Sequence, residues 1–208
     1  MNRREAIGIL AQERTSELVI TSVGETSREL YSVGHKDTNL YHIQMSYATP
    51  LGLGLALAIP TKKVVVLDGD GSILMGLGVL TTVARMAPKN LVVIVFDNKC
   101  YESCGAHPTS TAVAADLEKI AKGAGLGKSV TVSTVSEFRD SIRHALNSDG
   151  PHFIAASVKT EWPIKHPASP LPFDLTEGRY VFGRALVKEG LVESWHDVYG
   201  IQYTGPRS

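Results

Sequence analysis

Asp70 stands in the run LDGDGS (residues 67–72), between an apolar stretch and an amphipathic one, and Asp97 and Asn98 close the next apolar stretch. A carboxylate and an amide oxygen are hard ligands. They suit Mg2+, which prefers near-octahedral oxygen coordination and is commonly shared between one or two protein groups and a ligand's phosphates. Gly69 and Gly71 let backbone N–H groups approach phosphate oxygens, and a helix start adds a favourable dipole. An aspartate in such a turn repels phosphate unless a cation lies between them. The pattern predicts a diphosphate and magnesium cradle in which Asp70 faces Asn98 across neighbouring strand ends. An Asp-Gly pair alone is an ordinary loop former; the strand before it, the helix after it and the Asp-Asn pair at the next strand end give it chemical meaning. Asp68 reads as a strand-end residue bonded to backbone amides.

These groups need a parallel sheet to carry them. KKVVVLD (residues 62–68) and LVVIVFDN (91–98) are apolar without alternation, as strands covered on both faces are. Between them Ile73, Leu77, Leu80, Ala84 and Ala87 mark one helical face that Pro88 closes. Upstream, Ala6, Ile7, Leu10 and Ala11 recur at helical spacing, ELVITS (17–22) is β-rich, TSRELYSV (26–33) is a brief helix and LYHIQ (40–44) is extended. PLGLGLALAIP (50–60) is a small-residue helix whose glycines permit close packing on a sheet. Downstream come the helix DLEKIAKGAGL, the strand SVTVS, a helix opened by the Thr134/Glu137 capping box with Phe138, Ile142, Ala145 and Leu146 inward, and the strand HFIAASV (152–158). The sum is an α/β fold: a doubly wound, mainly parallel sheet with helices on both faces and ligands at the carboxyl ends of its strands.

The chain has 208 residues, with 21 basic and 21 acidic side chains. That length serves one full core and is short for two. Residues 1–159 are expected to form the binding domain. Residues 160–208 form a proline-rich strap, a helix capped by Asp174 and Glu177 with Val181, Phe182 and Leu186 inward, and an aromatic tail. Zero net charge gives no footprint for nucleic acid or an anionic membrane. No stretch is long and apolar enough to span a bilayer, and the start, MNRREAIGILAQER, is too polar for a secretory signal, so a cytoplasmic protein is expected. Two cysteines, Cys100 and Cys104, are too few for a disulfide framework or a four-thiolate zinc site.

GDGS followed at a distance by DNKCYES resembles the thiamine-diphosphate motif of thiamine-dependent decarboxylases. More narrowly, VITSVGETSRELYS, IQMSYATPLGLGLALA, the GDGS helix and DNKCYESCGAHPTS are similar in order to the sulfopyruvate and phosphonopyruvate decarboxylases. The resemblance covers roughly residues 17–158. It implies the thiamine-diphosphate-binding fold, the cofactors thiamine diphosphate and Mg2+, and a carboxy-lyase activity converting a 3-substituted pyruvate to an aldehyde and CO2. Sulfopyruvate is favoured because in that enzyme this domain is a separate small subunit.

The resemblance also carries roles onto residues. Asp70 and Asn98 would give magnesium side-chain ligands and Cys100 its backbone carbonyl. Gly69, Gly71 and Ser72, with backbone amides near Tyr101 and Glu102, would hold the diphosphate, the Ser72 hydroxyl adding a donor and the Glu102 charge pointing away. Gly24, Glu25 and Thr26 would line the cofactor loop. Met45 would bend the cofactor from beneath, and Ile43 would offer a carbonyl. The family stretch Gly-Ser-Met-Gly-His is here Ile43, Gln44, Met45, Ser46 and Tyr47, so the family histidine has no equivalent at Tyr47. His107 and Lys99 are candidate contacts for an anionic substrate. The glutamate that activates the cofactor lies on a pyrimidine-binding domain for which this chain has no room, so an alpha subunit is expected to supply it. A phosphonopyruvate decarboxylase, a carboligating synthase subunit and a non-catalytic, cofactor-binding regulatory subunit remain as alternatives.

Overall fold

The computed structural model describes residues 1–163, 171–172 and 174–193. Along the chain run α1 (Arg3–Glu13), β1 (Leu18–Ser22), α2 (Glu25–Gly34), β2 (Asn39–Ile43), α3 (Ala48–Ala58), β3 (Val64–Gly69), α4 (Asp70–Leu74), α5 (Gly78–Met86), β4 (Leu91–Asp97), β5 (Cys100–Tyr101), β6 (His107–Pro108), α6 (Leu117–Gly123), β7 (Ser129–Val132), α7 (Val135–Asn147), β8 (His152–Ser157) and α8 (Leu175–Lys188). Six strands form one sheet in the order β2-β1-β3-β4-β8-β7, every pair parallel, while β5 and β6 make a short antiparallel ribbon beyond the end of β4.

The unbroken apolar runs are explained by the two cores. Val64, Val66, Val93 and Val95 point to one face, against α3, α5, α6 and α8, in a core with Leu53, Leu80, Ala121 and Phe182. Val65, Leu67, Val92 and Ile94 point to the other, against α1, α2 and α7, with Ile7, Leu30, Phe138 and Ile142. Each such side chain taken fully from water contributes about 1.5–3 kcal/mol, so a polar residue at either parity would be costly. On α3, a Cβ at Gly52 would collide with Val66 Cγ2, which is the close helix-to-sheet approach that the small-residue helix predicts. The capping box of Thr134 and Glu137 opens α7, and Asp174 caps α8 through the Glu177 N–H. Phe182 and Leu186 of α8 share the core of Leu18 and Leu40, so this helix returns to the sheet after the strap.

One expected element is different. The helix read as continuous from Ile73 to Pro88 is two helices, α4 and α5, separated by residues 75–77. Met75 and Gly76 donate to Ser72 and Ile73, tight three-residue bonds that end α4. There Gly76 meets Ser46, and a Cβ on it would stand 2.9 Å from the Ser46 Cβ. The buried face after the break is Leu80 and Val83, while Ala87 is an exposed left-handed cap. Most of the proline-rich strap and the aromatic tail lie outside the described residues.

Candidate functional site

A cleft of about 660 Å3 opens at the carboxyl ends of the strands. It lies where the strand order turns, β2 lying to one side of β1 and β3 to the other, the place where open α/β sheets bind ligands. Its size is that of a cofactor site.

Asp70, 3% exposed, is the first residue of α4. Its Oδ2 accepts from Thr109 Oγ1 at 2.5 Å and from Thr111 Oγ1 at 3.2 Å. The Thr111 hydroxyl also lies 2.7 Å from Asp97 Oδ1. A hydroxyl has one proton, so two carboxylates compete for it. Burial pushes the Asp70 carboxyl above its ordinary range, the Thr109 bond opposes that and the charge of Asp97 adds to it. The register pairs Gly69 with Phe96, so Asp97 follows as the neighbour of Asp70, and Asn98 lies one residue further on. Asn98 is buried and accepts from Cys100 N–H at 3.2 Å across a turn in which Lys99 has φ of +64°. The Cys100 thiol faces the Thr160 hydroxyl at 3.6 Å, in keeping with a residue that offers a carbonyl rather than sulfur.

Around this centre, a Cβ at Gly71 would collide with the Tyr101 ring, so any larger residue would have to displace that ring. Asp68 is fully buried and accepts from Gly69 N–H (3.0 Å) and Thr49 Oγ1 (3.3 Å), the strand-end role its sequence suggests. The Ser72 hydroxyl bonds Asp68 and accepts from Ser46 N–H at 3.0 Å. The Glu102 carboxylate, in the same lining, has partners of its own. Arg3 Nη1 binds it at 2.8 Å while Arg3 Nε binds Glu29 at 2.9 Å, and Glu102 Oε1 accepts from Glu161 N–H at 2.7 Å. Burial works against the Arg3 charge, but the bond to Glu29 and then the charges of both carboxylates more than offset it, leaving the guanidinium above its usual range.

Gly24, Glu25, Thr26 and Met45 line the cleft together with Gly69, Asp70, Gly71, Ser72, Asn98, Cys100, Tyr101 and Glu102. Gly24 has φ of +105° and Glu25 bonds Arg28 at 2.7 Å. Ile43, Lys99 and His107 are outside the lining. The Ile43 carbonyl accepts from Val23 N–H at 2.7 Å, and His107 is exposed on β6, paired with Tyr101. Sequence reasoning passed over Arg3, His42, Thr109 and Thr111. The threonines lie inside the quoted run DNKCYESCGAHPTS and its continuation, but nothing in their spacing says they turn back onto Asp70.

The donor set fits magnesium with a diphosphate. It has one buried carboxylate short of positive charge, an amide oxygen and a carbonyl, all hard ligands, beside a turn of glycines. Among the described residues no group of three or more His, Cys, Asp or Glu side chains could cage a metal, so the ligand's own oxygens must complete the coordination. No described helix is long and apolar enough to cross a membrane.

The comparisons agree with this chemistry. The profile of the thiamine pyrophosphate enzyme C-terminal TPP binding domain matches residues 22–156. The sulfopyruvate decarboxylase subunit beta of Methanocaldococcus jannaschii is 42% identical over 143 residues, covering 68% of this chain and 75% of that protein. The phosphonopyruvate decarboxylase of Streptomyces viridochromogenes is 37% identical over 152 residues, 73% of this chain but only 38% of that longer protein. In fold, a putative thiamin diphosphate-dependent enzyme of Mycobacterium smegmatis superposes with a TM-score of 0.68 at 20% identity, over 77% of this chain and 32% of that one.

Proposed function

The chain belongs to the thiamine pyrophosphate enzymes through their C-terminal TPP-binding domain, and from that premise we propose that it is the diphosphate-binding subunit of a 2-oxoacid decarboxylase acting on a 3-substituted pyruvate, sulfopyruvate first. When bound, thiamine diphosphate supplies an electron sink for the pair left behind as CO2 departs, which no side chain does well. This chain's residues bind and orient. Asp70 and Asn98 would hold Mg2+ through their side chains and Cys100 through its carbonyl, while the backbone N–H groups of Gly71 and Ser72 would receive the diphosphate. Arg3, itself bound by Glu29, offsets the charge of the Glu102 carboxylate. Met45 would support the cofactor, and the Phe96, Trp162 and Pro163 surfaces would exclude water from the cleft.

The relatives named subunit beta supply the reason to expect an alpha partner. In this reading it brings the pyrimidine-binding domain and the activating glutamate, and the 2-oxoacid binds between the two subunits. The observation that carries the proposal is the buried Asp70 carboxylate, crowded by Asp97 and supported by two threonine hydroxyls and the Gly71 N–H with no cation beside it among the described residues, next to a glycine turn. The test is to reconstitute the chain with its companion, Mg2+ and thiamine diphosphate and to follow CO2 and aldehyde from sulfopyruvate and phosphonopyruvate. Stoichiometric aldehyde is expected. A ligated product in its place would reassign the complex to carboligation, and cofactor binding without turnover would make this a regulatory subunit.

A further inference from the structure

The carboxyl end of β2 is irregular in a way that a diphosphate cradle does not require. Ile20 pairs with Leu40 but Ser22 pairs with Ile43, so Tyr41 and His42 together oppose Thr21, one residue too many on β2. The excess is absorbed at His42, whose φ is +57°. That region is uncommon for residues other than glycine, though histidine is among the more tolerant, and a bulge re-aims the side chain that the pleat would otherwise direct. The conformation is held in place. His42 N–H donates to Ser27 Oγ at 2.9 Å, and Ser27 Oγ lies 2.9 Å from the Ser22 carbonyl and 2.6 Å from Thr21 Oγ1. The imidazole so aimed lines the cleft, and its Nδ1 is buried with no hydrogen-bond partner among the described residues. Leaving a buried polar atom unpaired costs about 1–3 kcal/mol, so the fold holds the ring against a penalty on its closed-off side while the rest of the imidazole lines the cleft. Tyr47, standing where the family resemblance places a histidine, is 61% exposed and outside the cleft lining, so it does not compete for an imidazole's work.

We propose that His42 is a catalytic residue of this subunit, receiving the anionic 2-oxoacid and then giving a proton to the carbon that CO2 has left. The inference rests on the decarboxylase reading above. The bond from the carbonyl carbon to the carboxylate breaks and its electron pair stays behind. The imidazolium N–H bond breaks, a C–H bond forms on that carbon, and the aldehyde departs. The net reaction is one 2-oxoacid anion and one proton giving aldehyde and CO2, so the ring recovers its proton from water in each cycle. Burial, and then Arg28 on α2, hold the empty imidazole below its ordinary range, while Glu25 on the same helix acts in the opposite sense. A substrate anion in the cleft beside the ring favours the charged form, so proton and substrate arrive together.

The test uses the reconstituted complex with Mg2+, thiamine diphosphate and saturating 3-substituted pyruvate. His42→Asn keeps a residue that tolerates positive φ, and His42→Gly keeps the backbone and leaves room for free imidazole. Aldehyde formation is expected to fall at least about a hundredfold in both variants. CO2 release with ferricyanide, which withdraws the electrons before a proton is needed, is expected to stay near the wild-type rate, and added imidazole is expected to restore aldehyde formation in His42→Gly alone. Parallel loss of both activities, or no loss of either, overturns the assignment. If the wild-type complex decarboxylates no such acid, the functional reading fails and His42 is judged by its 15N imidazole resonances in the loaded complex. They are expected to shift on adding pyruvate, and unmoved resonances overturn the role.

Discussion

At the amino ends of the strands, cationic and amide side chains close the sheet by bonding several carbonyls at once, whereas at the carboxyl ends the side chains compete for too few partners. Asn90 Nδ2 reaches the carbonyls of Ala56, Ile59 and Lys62 within 3.1 Å, and Lys63 Nζ bonds those of Ala145 and Ser148. At the other end Asp70 and Asp97 share the Thr111 hydroxyl and His42 has a bare nitrogen. Four of the five non-glycine residues at positive φ, His42, Ser46, Lys99 and Ala106, lie there too. Among the described residues the amino edge has one buried atom without a partner of its own, Arg14 Nε, but the shared hydroxyl and most of the positive-φ residues collect at the carboxyl edge, as in a scaffold that carries a binding site at one end.

The strongest way to break this contrast is Asp70→Asn. If the carboxylate serves binding rather than folding, the substitution lowers affinity for Mg2+ and thiamine diphosphate by more than about a hundredfold, read by calorimetry on the complex, with thermal stability kept or improved. Arg3→Met probes a carboxyl-edge group that serves both purposes. It leaves Glu29 and Glu102 buried without their cation, and a loss of about 3 kcal/mol in urea unfolding is expected. At the amino edge, burial, then Lys63, Lys128 and His144, push His152 down to about 4. The unfolded chain accepts a proton near 6.5 that the folded chain refuses. Its contribution is therefore whole above about pH 6.5 and is lost as pH falls towards 4. Urea midpoints across that window are expected to decline less steeply in His152→Gln. Last, Ser46→Gly removes a non-glycine residue from φ of +69°. The relief of about 1–2 kcal/mol is partly offset by the greater freedom of glycine in the unfolded chain, for a net gain of about 0.5 kcal/mol in the same assay.

Where packing dictates residue type, the fold is legible in the sequence. VVVLD and LVVIVFD announce strands buried on both faces because no polar side chain has anywhere to go, and Thr134 with Glu137 announces a helix start because both cap bonds are local. The break after α4 is not legible, since Ile73, Leu77 and Leu80 keep helical spacing across it and the close neighbour of Gly76 there, Ser46, is remote in sequence. Within the candidate site, Asp70 and Asn98 stand at strand ends that sequence alone locates. Thr109, Thr111 and Arg3 act on that centre through tertiary contacts that no spacing encodes. The bulge at His42 is hidden for a related reason, because LYHIQ alternates no differently from a regular strand and only the register with β1 exposes the extra residue.

The cleft draws its walls from Arg3 near the start of the chain, from the turns after β1, β2, β3 and β4, and from Trp162 beyond β8. A nascent polypeptide emerging from the ribosome therefore has no complete pocket until translation has passed that tryptophan.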